Sequence, residues 1–332
     1  MASEAAAEVE PQAPPRYVIN EIPQSQWETG IPAVMGAHLM ASGNVAPIST
    51  SKGPGDGLVP HMFQYHSEET DVGVLQSVDF GTAARTMVAQ VAALATAAIE
   101  EKGAFTVAIS GGSMLTALSQ FAGLPGADFS KWWVFFVDER NVPHASPDST
   151  YGAAKVPFLE ACGIPTAQVL DIHEGLSAAD AATNYEGRML DVPPAVLPRN
   201  DAGMPVLDCI LLGTGPDGHI ASLFPNAPHL AVADKWIVPV TASPKPPAER
   251  ITFTLPAINA AKACIFLATG TGKADVVHRA LECQALPGAV PAQMVRPENG
   301  SVTWLLDLES SKELEIASWD NQKKHPRSQV PK

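Results

Sequence analysis

An aspartate and a histidine two residues apart stand in the glycine-rich run Gly213-Thr214-Gly215-Pro216-Asp217-Gly218-His219, just after the apolar stretch VLDCILL. An imidazole titrates near neutrality, so His219 can take a proton from water and return it to a leaving group. Asp217 can orient that ring or bias its charge, or serve only to cap the loop. Gly213 to Gly218 also fits GxGxxG, the dinucleotide fingerprint. That reading is rejected: Pro225 and Pro228 interrupt any helix over HIASLF too soon for a regular βαβ crossover. A pyrophosphate cradle also needs neither Asp217 nor His219.

Two further segments carry chemistry. Ser110-Gly111-Gly112-Ser113 follows FTVAIS and precedes an expected helix. Glycines there let backbone N–H groups approach a ligand, and phosphate is the natural guest. Asp138-Glu139-Arg140 closes WWVFFV. Three charges in that position mark a sheet meeting water, although Arg140 has the planar fork that clamps phosphate. No GxSxG is present, so direct water attack is favoured over an acyl-enzyme. No HExxH spacing is present, His61 and His66 are expected to face solvent, and neither a metal nor a cofactor is required.

These segments need a frame. Residues 81–102 carry Met87, Val91, Leu94 and Ala98 at helical spacing, with Gly103 as the stop. FTVAIS, WWVFFVD, VLDCILLG, WIVPV, RITFTL, ACIFLAT and VTWLLD are apolar runs of strand length. Helices are expected near Met114, from about Ser149, after the capping pair Ser177 and Asp180, and near 256–261 and 271–284. Strands alternating with helices imply an α/β fold with a mainly parallel, Rossmann-like doubly wound sheet covered on both faces. Ligands bind such sheets at the carboxyl ends of strands, where all three segments fall.

Residues 1–70 read as an irregular Pro/Gly-rich extension, 71–318 as the catalytic domain and 319–332 as a polar tail. Eight prolines fall in the first 60 residues. Ile31 to Met40 is an apolar piece, expected to pack as a strap on the domain or to dock an unknown protein partner. The chain has 332 residues, 46% of them hydrophobic, and a net charge of −14. A surface this acidic repels nucleic-acid phosphates, so an anionic substrate must be met by a few cations gathered locally. Four cysteines without CxxC spacing suit a reducing compartment. The first residues lack a signal or transit pattern, no apolar run is expected to be long enough to span a membrane, and the expected location is cytoplasmic.

SGGS, VDER followed by DSTYG, LGTGPDGHIASLFP and SPKPPAERIT occur in this order and resemble the successive signature segments of 6-phosphogluconolactonases. ATGTGKA and GSVTWLLD are similar to that family's closing segments. The resemblance covers about residues 72–310, and GPDGHIASLFP is its most specific part. Met114-Leu115 after Gly-Gly-Ser departs from the Thr-Pro common in bacterial members, on apolar helix positions.

The resemblance implies hydrolysis of a phosphorylated sugar lactone in the oxidative pentose phosphate pathway. His219 would be the base, supported by Asp217. The 6-phosphate would meet Gly111, Gly112, Ser113 and Arg140. Lys245 matches a phosphate-contacting lysine of the family, and Arg250 is a further candidate; Lys273 and Arg296 are left without a role. Two rivals stand beside this. A glucosamine-6-phosphate deaminase or sugar-phosphate isomerase shares SGG and GxxDGHIA but continues towards Asn-Glu-Pro, where this chain has ASLFP. A non-catalytic sugar-phosphate sensor needs the phosphate cradle but no base.

Overall fold

Alternate residues along each central strand feed two separate cores. In β4 (Phe105–Ile109), Phe105, Val107 and Ile109 face one core and Ala108 the other. In β10 (Ala263–Ala268), Ile265 and Leu267 join the first core, while Cys264, Phe266 and Ala268 join the second. A strand buried on both faces is mainly apolar, which is why these runs show no polar alternation; Thr106, the polar residue of β4, donates its hydroxyl to Asp208 Oδ2 at 2.8 Å. The computed structural model describes residues 18–21, 61–66, 71–283 and 285–315.

Among the described residues the main sheet has eight strands. Their order is β1 (Val18–Glu21), β2 (His61–His66), β3 (Asp71–Ser77), β11 (Ser301–Asp307), β10, β7 (Cys209–Leu212), β4 and β5 (Trp132–Phe136). From β3 to β5 all neighbours pair in parallel, and only β1 and β2 are antiparallel. The chain steps outward from β4 to β5 and then returns to place β7 on the other side of β4. Strand order therefore reverses between β4 and β7, the position where such sheets open a ligand crevice.

One face is covered by α1 (Phe80–Lys102) and α2 (Ser113–Leu118). The other is covered by α4 (Ala178–Leu190), α5 (Leu255–Asn259) and α6 (Ala274–Leu281). The short α3 (Thr150–Ala154) begins where Ser149 Oγ accepts from Gly152 N. Asp79 caps the start of α1 by accepting from Thr82 N, and Gly103 ends it in the left-handed conformation at φ 77°. Contrary to expectation, this 23-residue helix is long and apolar enough to cross a membrane by length and composition. Its apolar side, including Met87 and Val91, is instead buried against the sheet.

Three expectations need correction. WIVPV and RITF are strands, but they leave the main sheet: β8 (Ile237–Val240) and β9 (Arg250–Phe253) pair antiparallel with β6 (Asp138–Arg140). The charged triplet therefore does not mark a sheet meeting water, since Asp138 is 6% exposed and Glu139 is sealed. The segment 1–70 is not irregular throughout, because β1 and β2 extend the sheet beyond β3. The stretch Ile31–Met40 and the tail 319–332 lie outside the described residues.

Tyr65 in β2 is fully buried, and its hydroxyl donates to Glu282 Oε1 at 2.9 Å. A chain starting at Asp71 is expected to melt below the full chain. It loses the strand that pairs with β3, and losing a buried aromatic typically costs about 3–5 kcal/mol. Thermal denaturation of the two chains tests this, and coincident melting would show that β2 contributes nothing.

Candidate active site

The Gly213–His219 loop leaves the carboxyl end of β7 and curls back on itself without starting a helix. Gly215 N donates to His219 O and Gly218 N to Gly215 O, each at 2.9 Å. Gly218 adopts φ +89°, a conformation that side chains oppose. Gly215 is required for a different reason: a Cβ there would overlap the His219 ring and Asp217 Oδ1. The loop is held from outside by Lys273 Nζ on Thr214 O at 2.5 Å and Arg279 Nη2 on Pro216 O at 2.8 Å.

Asp217 and His219 meet within this curl. His219 Nδ1 lies 2.5 Å from Asp217 Oδ1, and Lys245 Nζ lies 3.2 Å from both atoms. A carboxylate this close selects the tautomer in which Nδ1–H donates. Nε2 is then a lone pair without a protein partner among the described residues, on a ring that lines the cleft. The ring stacks obliquely on Phe224, with centroids 4.8 Å apart. Burial holds the imidazole below its ordinary pKa; the Asp217 hydrogen bond pulls the other way, and the Lys245 ammonium adds to the depression. Burial also pushes Asp217 upward, but the His219 and Lys245 hydrogen bonds outweigh it and leave this carboxyl below the usual range.

Across the cleft, Ser110 to Ser113 leave the carboxyl end of β4, and Gly112 takes φ 71°. Gly111 sits against Thr150, where an added Cβ would come 3.1 Å from Oγ1. Arg140 donates through Nη1 to Asp148 O at 2.7 Å. Its Nε and the Thr150 hydroxyl are buried without a hydrogen-bond partner among the described residues. Buried donors are rarely left unpaired, so an unpaired guanidinium N–H at a glycine loop calls for an acceptor. Glu139 anchors this corner: its carboxylate accepts from the backbone N–H groups of Arg140, Thr150 and Tyr151 at 2.6–2.8 Å. Burial raises its pKa despite those three donors.

The structure brings His219, Gly111, Gly112, Ser113, Arg140, Lys245 and Arg250 onto one cleft of about 320 Å³, with Asp217 directly behind His219. Two expectations change in detail. Lys245 gives one N–H of its ammonium to Asp217 Oδ1, which leaves further donors on the same nitrogen for a phosphate. Arg250 is 4% exposed and directs four of its five N–H groups at protein: Nε to Pro247 O, Nη2 to Lys245 O and Pro246 O, and Nη1 to Ser222 Oγ. One N–H is left for a ligand, and its main work is to hold the Lys245 loop. Lys273 was passed over in the sequence but lines the cleft. Burial, then the neighbouring Lys245 charge, lowers its pKa. Its place at the carboxyl end of β10 was the available signal. Arg296 is elsewhere, with its N–H on Asn259 Oδ1 and Nε on Gln293 O.

Fold and site together define a doubly wound α/β protein with a cationic crevice and a histidine at its switch point. Residues 79–304 match the family described as glucosamine-6-phosphate isomerases/6-phosphogluconolactonase. "Probable 6-phosphogluconolactonase 1" of Arabidopsis thaliana is 39% identical over 237 residues, covering 69% of this chain and 88% of the relative. "Probable 6-phosphogluconolactonase 3, chloroplastic" of Oryza sativa subsp. indica is 42% identical over 230 residues, covering 68% and 70%. The solved 6-phosphogluconolactonase of Trypanosoma brucei superposes with a TM-score of 0.64 at 26% identity, covering 73% of this chain and 98% of that one. The chain belongs to the glucosamine-6-phosphate isomerase/6-phosphogluconolactonase family. Its relatives set it with the lactonases of that family, and so among hydrolases that open a cyclic ester.

Proposed function

We propose that the chain hydrolyses 6-phospho-D-glucono-1,5-lactone to 6-phosphogluconate, the ring-opening step of the oxidative pentose phosphate pathway, with His219 as the base. The observation that carries this is the pairing of an imidazole with a free Nε2 and four cationic side chains on one cleft of an otherwise acidic chain.

In this reading the phosphate sits against Gly111, Gly112, Ser113 and Arg140, where the unpaired Nε finds its acceptor. Lys245 and the last free N–H of Arg250 add charge, and Lys273 is a further cation for the same anion. Holding the phosphate fixes the carbonyl near the histidine, so remote binding energy is spent on orientation. Nε2 takes a proton from water as the water oxygen attacks the carbonyl carbon. The tetrahedral intermediate then collapses, the bond from that carbon to the ring oxygen breaks, and the imidazolium returns its proton to that oxygen. Asp217 steadies the imidazolium that forms in between. The scheme calls on no metal or cofactor. A deaminase or isomerase reading is disfavoured by ASLFP after the histidine, and a passive sensor by the paired Asp217 and His219.

The direct test follows the lactone, generated in situ, against its spontaneous opening. Acceleration that is inhibited by 6-phosphogluconate and absent with unphosphorylated gluconolactone supports the reading. No acceleration would sink it. A cytoplasmic site of action is proposed alongside, although rice relatives are named chloroplastic; imaging of a fluorescent fusion decides between them.

The Lys245 contact makes a pH prediction. The base must be neutral to act, so activity rises with pH through the His219 pKa and then levels. Lys245→Met removes a cation that depresses this pKa, and the acidic limb of kcat should move to higher pH. A limb that stays in place would separate Lys245 from the histidine's titration.

A further inference from the structure

Asp138 is a carboxylate where an anion-binding cleft should least tolerate one. It is the sole acidic side chain among the described residues lining the crevice, and it is 6% exposed. The pairing of β6 with β9 pins its backbone opposite Thr252. Its Oδ2 accepts from Ser222 Oγ at 2.6 Å. Ser222 is fully buried, its Oγ accepts from Arg250 Nη1 at 3.3 Å, and its N–H donates to Thr252 Oγ1 at 3.2 Å. The aspartate is thus locked by a serine that is itself locked.

Asp138 Oδ1 takes no hydrogen bond from the described residues. A carboxylate is an acceptor with room for several donors, and this oxygen belongs to a residue that lines the cleft, where a ligand hydroxyl can reach it. The substrate of the proposed reaction offers three kinds of group. The cations answer its phosphate and His219 answers the attacking water, but its ring hydroxyls need an acceptor. Ser222 lies three residues after His219, so the carboxylate it holds is at the histidine end of the cleft, where the lactone carbonyl must sit.

We propose that Asp138 Oδ1 accepts a hydrogen bond from the lactone hydroxyl adjacent to the carbonyl and sets the preference for hydroxylated lactones, with Ser222 as its positioning residue. This rests on the lactonase reading. A site built to bond a hydroxyl discriminates strongly against a substrate lacking it, because the buried acceptor is then left unpaired.

The test compares kcat/KM for 6-phosphogluconolactone and its 2-deoxy counterpart in wild type, Asp138→Asn and Ser222→Ala. Wild type is expected to prefer the hydroxylated lactone by about 10- to 100-fold, the range of a hydrogen bond to a charged group. Measured on the pH-independent plateau, Asp138→Asn should bring that ratio close to one, by slowing the hydroxylated lactone more than the 2-deoxy form. Ser222→Ala keeps the charge but frees the rotamer, so its ratio should fall between; it carries the test if Asp138→Asn fails to fold. A wild type without preference, or equal losses on both lactones in the folded variants, overturns the proposal. Acceleration of neither lactone by wild type is a different result: it overturns the lactonase reading and this assignment with it.

Discussion

Replacing His219 with alanine is expected to lower kcat by about 10²–10⁴-fold, the usual worth of positioned general-base catalysis. Binding of 6-phosphogluconate should change little, because the groups proposed to hold the anion lie on other segments of the cleft: the Ser110–Ser113 loop, Arg140, Lys245 and Lys273. The fold should also survive. The ring lines the cleft, is 18% exposed, and packs on Phe224 at its edge. Single-turnover or steady-state hydrolysis, with product binding by calorimetry, reads both arms. A variant that retains wild-type kcat would remove the histidine from the chemistry and leave substrate positioning as the cleft's contribution. Loss of binding together with rate would instead show the ring to be a ligand contact. The acid limb of the wild-type profile adds a check, since burial places the His219 titration below that of a free imidazole.

Gly215→Ala is the second large effect, and it touches no functional group. A methyl at this position would occupy space now filled by His219 Cε1 and Nδ1 and by Asp217 Oδ1. One side chain must move, and both belong to the proposed catalytic pair. Displacing a catalytic group by about 1 Å can cost on the order of 10²-fold in rate, so the variant should approach His219→Ala in kcat. Overpacking of this kind costs about 1–3 kcal/mol of stability, which leaves a folded protein whose melting can be compared directly. Full activity with a normal melting temperature would mean that the curl of the loop has slack, and that the close Asp217–His219 contact is not what aims Nε2.

The same residues show where sequence reasoning works and where it stops. Each run was legible as a strand because burial selects mainly apolar residues along it, and that is a local requirement. Gly103 and Ser177 marked helix ends for the same local reason, since unpaired backbone groups there select particular side chains. Which sheet a strand joins is not local. WIVPV and RITF have the composition of central strands, yet β8 and β9 pair with β6 over the second core. Periodicity carries no information about partners, so nothing in Asp138-Glu139-Arg140 by itself separates an exit to water from a strand whose first two residues are buried.

For the site, residue type and place at a strand end determined the chemistry. His219 and Asp217 in a glycine loop, Ser110 to Ser113 and Arg140 were all chosen from sequence, and all converge on the cleft or, for Asp217, on the histidine that lines it. Tertiary structure decided their company. It gave Arg250 to the backbone of the Lys245 loop, set Lys245 on Asp217, added Lys273 from the end of β10, and turned Asp138 inward onto Ser222. Each of these contacts joins residues from separate strand ends or loops. The strand-order reversal between β4 and β7 gathers them, and side-chain satisfaction in three dimensions determines which donor meets which acceptor. A single chain read in order reveals which groups can do chemistry, whereas their hydrogen-bond partners are set by packing between segments far apart in sequence, 84 residues in the case of Ser222 and Asp138.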